Sequence, residues 1–173
     1  MGSLGKMASF LLHTPRDGCQ YTDLNEAVKI AKDLHRQSSV QIKAPDSLTP
    51  LFCKTNYVQL SLIMQEYTKL SGKSLYHHIK GYSEGSYEKA LMAICNYTAN
   101  PLHYFSKHLS EGIKKKNINQ VCRVVCTRFE IDLVSIQQDY MATYNREAAE
   151  DIRQAFGSSM KSTIEALESL MGR

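Results

Sequence analysis

The sequence predicts an all-α protein made of two homologous five-helix units. Apolar residues recur at three- and four-residue steps through almost the whole chain after Tyr21, and no stretch sustains the apolar–polar alternation of a strand. A fixed offset of 73 residues pairs Tyr67 with Tyr140, Cys53 with Cys126, Leu60 with Leu133 and Ile79 with Ile152; a constant internal offset marks a repeated structural unit. At 173 residues, with 43% hydrophobic and 22% charged residues, the chain is long and apolar enough to bury a real core.

The elements follow in order. Asp23 is an N-cap for a helix whose stripe is Leu24, Ala27, Val28, Ala31 and Leu34. The polar stretch from Gln37 to Pro45 breaks it. A short helix over Ser47–Lys54 follows, in which Pro50 fits only within the first turn. Leu60, Ile63, Tyr67 and Leu70 form the next stripe, closed by Ser71-Gly72 with glycine as C-terminal cap. Leu75 and Ile79 mark a short helix ending near Gly81, and Tyr87, Ala90, Leu91 and Ile94 a fifth. The second unit repeats the order: Leu102, Phe105 and Leu109 after Pro101, a polar loop from Lys114 to Asn117, Val121 with Val124 and Val125, then Leu133, Ile136 and Tyr140, then Ile152 and Phe156, then Ile164, Leu167 and Leu170. The expected organisation is an N-terminal segment and linker over 1–20, a first unit over 21–98 and a second over 99–173.

Composition narrows the function classes. A net charge of +4 is mildly basic, suited to weak attraction to anionic surfaces rather than to nucleic acid. No run approaches the roughly 18 apolar residues of a membrane span. Gly2 is followed by Lys6 where a myristoylation signal wants Ser or Thr, and Phe10-Leu11-Leu12 is too short for a signal-peptide core. The expected location is therefore the cytoplasm, with peripheral association at membranes. The five cysteines (Cys19, Cys53, Cys95, Cys122, Cys126) have no pairing pattern, and the repeat-equivalent Cys53 and Cys126 read as buried free thiols. Asn96-Tyr97-Thr98 matches a glycosylation sequon that such a location leaves unused. Cys122 and Cys126 with His103 and His108 suggest zinc by residue type, but Cys53 has no such company, which favours packing. No nucleophile elbow, phosphate loop or paired-carboxylate site is present, so no enzymatic activity is expected.

Residues 128–140, reading Arg-x-Glu-Ile-Asp-Leu-x-x-Ile-x-x-x-Tyr, resemble the most characteristic segment of an annexin repeat. Residues 60–67, Ser71-Gly72-Lys73-Ser74-Leu75 and 85–91 resemble the third to fifth helices of such a repeat, and Asn100-Pro101-Leu102-His103-Tyr104-Phe105 resembles the entry into the family's fourth repeat. The likeness runs from about Leu11 onward and fits the third and fourth repeats, either as a divergent member or as a half-length portion of one. It implies two annexin-like repeats that bind Ca²⁺ and bridge it to phospholipid head groups. Such a site takes about six to eight oxygens, supplied in the family by carbonyls of a Gly-x-Gly-Thr loop and a distant bidentate carboxylate.

Both parts depart from that pattern here. The first loop aligns with Gln41-Ile42-Lys43-Ala44 and its carboxylate position with Tyr82; the second loop reads Ile113-Lys114-Lys115-Lys116-Asn117 and its carboxylate position aligns with Ala155. Glu84 is a residual acid near the first position, facing Lys43. The expectation is thus an annexin-like, membrane-surface-binding protein with degenerate calcium sites, independent of Ca²⁺ or weakly dependent on it, and with no other cofactor. Lys43, Lys114, Lys115 and Lys116 read either as solvated helix ends, favoured by the macrodipole, or as direct contacts to anionic lipid. The alternative function is a protein-interaction scaffold without membrane binding. Repeats pair across the four-repeat family, so third- and fourth-like units by themselves predict exposed faces covered by a second copy or another partner.

Overall fold

The computed structural model describes residues 2–37, 45–80, 85–157 and 159–172. All secondary structure among them is helical, in two compact units, Met1–Ala99 and Asn100–Arg173. The first unit holds α1 (Ser3–His13), α2 (Leu24–Arg36), α3 (Pro45–Lys54), α4 (Tyr57–Ser71), α5 (Leu75–Ile79) and α6 (Gly85–Ala99). The second holds α7 (Pro101–Lys114), α8 (Ile118–Arg128), α9 (Leu133–Tyr144), α10 (Ala148–Phe156) and α11 (Lys161–Leu170).

Polar side chains start these helices where the sequence places them. Asp23 accepts from the Glu26 amide, Asn56 from Gln59, Ser74 from His77, Asn100 from His103 and Asn117 from Gln120. Each satisfies a backbone donor that the first helical turn leaves without a partner. Gly72 ends α4 in the left-handed region at φ 68°, a conformation that costs other residues a Cβ clash.

The 73-residue register is visible in the cores. Leu60, Ile63 and Tyr67 on α4 are buried, and so are Leu133, Ile136 and Tyr140 on α9. Around them the same pairings recur: α4 packs on α2 and α5, as α9 packs on α7 and α10. Three expected stripe residues are exposed, Leu24 at 56%, Leu70 at 42% and Leu170, the last residue of α11, at 36%. Leu24 is the first residue of α2, where Cα–Cβ bonds tilt toward the helix N-terminus and carry the side chain past the packed length; Leu70 sits in the last turn of α4. Pro50 is the sixth residue of α3 rather than part of its first turn.

Residues 1–20 contain α1, which packs on α3 and α6 and places Met7 in the first core. Arg16 then closes the end of α3, donating to the Phe52 carbonyl at 2.5 Å and to that of Thr55, while its guanidinium lies 4.0 Å from the Tyr57 ring centroid. The expectation of paired buried thiols holds for Cys53 and fails for Cys126, which is exposed. The register itself is intact, since Leu48 and Val121, and Phe52 and Val125, are all buried. Cys53 belongs to the core that α1 helps to enclose, whereas α8 packs on α7 and α11 and leaves Cys126 on its outer side.

One close approach fixes the α7–α8 corner. A Cβ on Gly112 would stand 3.1 Å from Val121 Cγ2 and 3.3 Å from Gln120 Cβ, so glycine lets the two helices meet. Gly112→Val should cost about 1–3 kcal/mol and lower Tm by on the order of 3–10 °C. Thermal unfolding followed by circular dichroism checks this; an unchanged Tm would show that the corner has room to relax.

Candidate ion- and lipid-binding loops

The loop between α7 and α8 is closed by its own backbone. The Lys115 amide donates to the Glu111 carbonyl at 3.0 Å, Lys116 to Ile113 at 3.0 Å and Asn117 to Gly112 at 2.8 Å. Lys116 adopts φ 51°, the left-handed residue that lets a helix end on paired six-to-one and five-to-two bonds. Asn117 is at once the last residue of this closure and the cap of α8. The carbonyls of 111, 112 and 113 therefore point forward along the chain at amide donors, not at a common centre outside the loop.

The Lys114, Lys115 and Lys116 side chains are exposed on this corner. Lys115 Nζ lies 3.4 Å from Glu111, an exposed pair, and Lys114 Nζ lies 5.2 Å from the Tyr144 ring centroid. Ala155, at the distal carboxylate position, is half-buried in α10 against the second core. One turn earlier, Asp151 faces inward: it accepts from the Tyr140 hydroxyl at 2.8 Å and sits 2.5 Å from Arg146. Burial first, then the bond to Asp151, pushes the Tyr140 hydroxyl well above the usual tyrosine range.

The Glu130-Ile131-Asp132-Leu133 segment is a structural joint. Asp132 accepts two bonds from Arg128, at 2.8 and 2.7 Å, and the Arg128 guanidinium lies 4.5 Å from the Phe105 ring centroid. The pair is largely shielded, and its fork geometry is among the stronger polar contacts available. At the equivalent position of the first unit, Gln59 brackets the Asp23 backbone instead, accepting from its amide at 2.8 Å and donating to its carbonyl at 2.9 Å. Likewise Asp151 is replaced by His78, whose ring meets Tyr67 edge-on at 5.3 Å.

Lys43 and its loop, Tyr82 and Glu84 lie outside the described residues. The residue types that suggested zinc do not converge: among the described residues no three His, Cys, Asp or Glu side chains form a group able to hold a metal ion. His103 instead lies 3.3 Å from Asp139, and His108 meets Tyr104 edge-on at 4.4 Å. The sequon lies inside α6 with Thr98 buried. Sequence reasoning passed over the Arg128–Asp132 and Arg146–Asp151 pairs; the four-residue helical spacing of the first was the available signal, and the second bridges an inter-helix turn. It also passed over a cleft of about 690 Å³ between α7 and α8, lined by Tyr104, His108, Glu111 and Arg123 among others.

Fold and joints define a tandem of five-helix repeats whose inter-helix corners are candidate surface loops. The annexin family model matches residues 43–94 and 104–167, and the chain belongs to the annexin family. Annexin B10 of Drosophila melanogaster is 24% identical over 149 residues, covering 84% of this chain and 46% of that protein. Annexin D7 of Arabidopsis thaliana is 28% identical over 142 residues, covering 81% and 45%. The solved structure of annexin III shares the fold with a TM-score of 0.89 at 24% identity, covering 100% of this chain and 54% of that one. The chain thus spans about half the length of the relatives it matches. Members of this family bind phospholipid membranes in a calcium-dependent manner. No helix among the described residues is long and apolar enough to cross a membrane.

Two half-buried imidazoles give the structure an acid sensitivity. Burial above all, then Lys73, His35 and His77, holds His78 below the usual histidine range; burial likewise lowers His108 against a raising effect of Glu111. The unfolded chain therefore binds more protons near pH 6, so stability is full above the ordinary histidine pKa of about 6.5 and falls as pH drops through it. Urea midpoints from pH 7.5 to 5.5 should decline for the wild type and flatten in the His78→Asn/His108→Asn double variant. Equal slopes would place the acid sensitivity elsewhere.

Proposed function

We propose that this chain associates with anionic phospholipid surfaces through the basic α7–α8 corner, without the Ca²⁺ bridge of its family. The observation that carries this reading is the closure of 111–117: three carbonyls are bonded to amides of the same corner, and three lysines stand where an ion site would otherwise present oxygens. The residues do not fit Ca²⁺, which wants about six to eight converging oxygens, because the loop over 113–117 has no glycine, its amides take the carbonyls of 111–113, and Ala155 offers no carboxylate. Calcium therefore takes no part in the proposed attachment at this corner.

The three ammonium groups replace the cation. Near an anionic surface each contributes about 1 kcal/mol, against little lost by parting Lys115 from the exposed Glu111. Lys43 is assigned the same role on the first unit's loop. The attachment is peripheral and non-enzymatic, and it occurs on a cytoplasmic leaflet. The scaffold reading has a separate support: Ile131 is 67% and Val134 66% exposed at the start of α9, apolar surface that a second copy or another protein would cover.

Sedimentation with phosphatidylserine vesicles in chelator separates the two. At low salt the wild type should pellet, and release should follow added salt. Replacing Lys114, Lys115 and Lys116 by Gln should weaken binding about 100-fold. Failure of the wild type to pellet, with dimers or larger species in light scattering, would favour the scaffold.

A further inference from the structure

α8 carries two thiols on one face. Cys122 and Cys126 are four residues apart on a continuous helix, which stacks their side chains one above the other with Cβ atoms about 5–6 Å apart. Cys122 is half-buried and Cys126 exposed. Val121, Val124 and Val125 hold the inner face of α8 in the core, and Gln120, Arg123 and Thr127 line the cleft toward α7. Cys126 occupies neither face, and Cys122 sits half-buried at the edge of the core. Packing, the reason the 73-residue register offered for Cys126, does not apply to a side chain that solvent reaches.

The other cysteines differ. Cys53 and Cys95 are buried, and burial pushes the Cys95 thiol up to about 12. Cys19 is exposed but lies beside Asp17, whose side chain accepts from the Cys19 amide at 2.9 Å and whose carboxylate pushes the thiol up. Only α8 offers two accessible sulfurs within reach of one small acceptor, among the described residues.

We propose that Cys122 and Cys126 form a two-coordinate site for a monovalent thiophilic metal ion, with Cu(I) as its probe. The donor number selects the ion. Zinc needs four ligands in a structural site, and no third His, Cys, Asp or Glu joins the pair among the described residues. Soft thiolates favour Cu(I), which is content with two. One metal ion bridging two thiolates needs sulfurs no farther apart than two metal–sulfur bonds, a gap that two side chains stacked at four-residue spacing can bridge without unwinding the helix. Binding replaces two S–H protons by one cation, so the bound unit is a bis-thiolate carrying one net negative charge and two protons go to solvent. Because both thiols must be deprotonated to bind, the affinity climbs with pH.

The test uses the full 173-residue chain, reduced and free of oxygen, competing for Cu(I) against bicinchoninate. One equivalent should be retained by the wild type and by Cys19→Ser, with affinity rising from pH 6 to 8. Cys126→Ser, at an exposed position that folding does not depend on, should weaken retention at least about 100-fold, and Cys122→Ser should match it with unchanged circular dichroism. Absence of retained Cu(I), undiminished retention in Cys126→Ser, or loss in Cys19→Ser would overturn the assignment. Lipid binding by the lysine corner does not enter the readout.

Discussion

No described helix exceeds 15 residues and one has only five, lengths at which an isolated helix is marginal in water. The structure therefore depends on each helix burying one stripe against a neighbour. In both units the third helix of the repeat, α4 or α9, packs on the first, α2 or α7, and its Leu, Ile and Tyr stripe is buried. The tyrosine closing each stripe, Tyr67 or Tyr140, ties this helix to the next short one: through Asp151 in the second unit, and through a ring contact with His78 in the first. An aspartate accepts a hydroxyl and is itself matched by Arg146; an imidazole meets the tyrosine ring edge-on. The same scaffold thus tolerates two chemistries at one joint.

The corner between α7 and α8 follows from the same need for close packing. Gly112 lets α8 approach α7, and the approach leaves only Lys115, Lys116 and Asn117 to turn the chain. The amides of this short turn satisfy the last carbonyls of α7, those of 111–113, because buried or half-buried carbonyls must find donors. An ion cage needs the opposite: slack backbone with carbonyls aimed outward. Tight helix packing and a carbonyl-lined calcium loop compete for the same few residues.

Much of this was legible in the residues. The stripes, the caps at Asp23 and Gly72, and the repeat offset are local signals whose physics is set by the period of the helix, and the structure follows them. The exceptions are tertiary. Leu24 and Leu70 obey the period but sit in end turns beyond the packed length. Cys126 shares its register with Cys53 but not its surroundings, since α1 and its Met7 enclose the first core. At the candidate site, the lost glycines and the Ala155 substitution were readable as types, and the three lysines as a charge run. That the carbonyls of 111–113 are consumed by the turn is geometry, which no spacing of residues states. The Arg146–Asp151 pair was hidden for a related reason, being formed across a turn where a left-handed Asn145 redirects the chain.

The central claim is that the annexin scaffold persists in this chain while its second-unit corner no longer presents a calcium site. Calorimetric titration with Ca²⁺, with and without phosphatidylserine vesicles, tests it most directly. The account predicts no heat attributable to micromolar binding in either condition. A vesicle-dependent site saturating at micromolar Ca²⁺, and surviving replacement of the acids of the first unit, would contradict it.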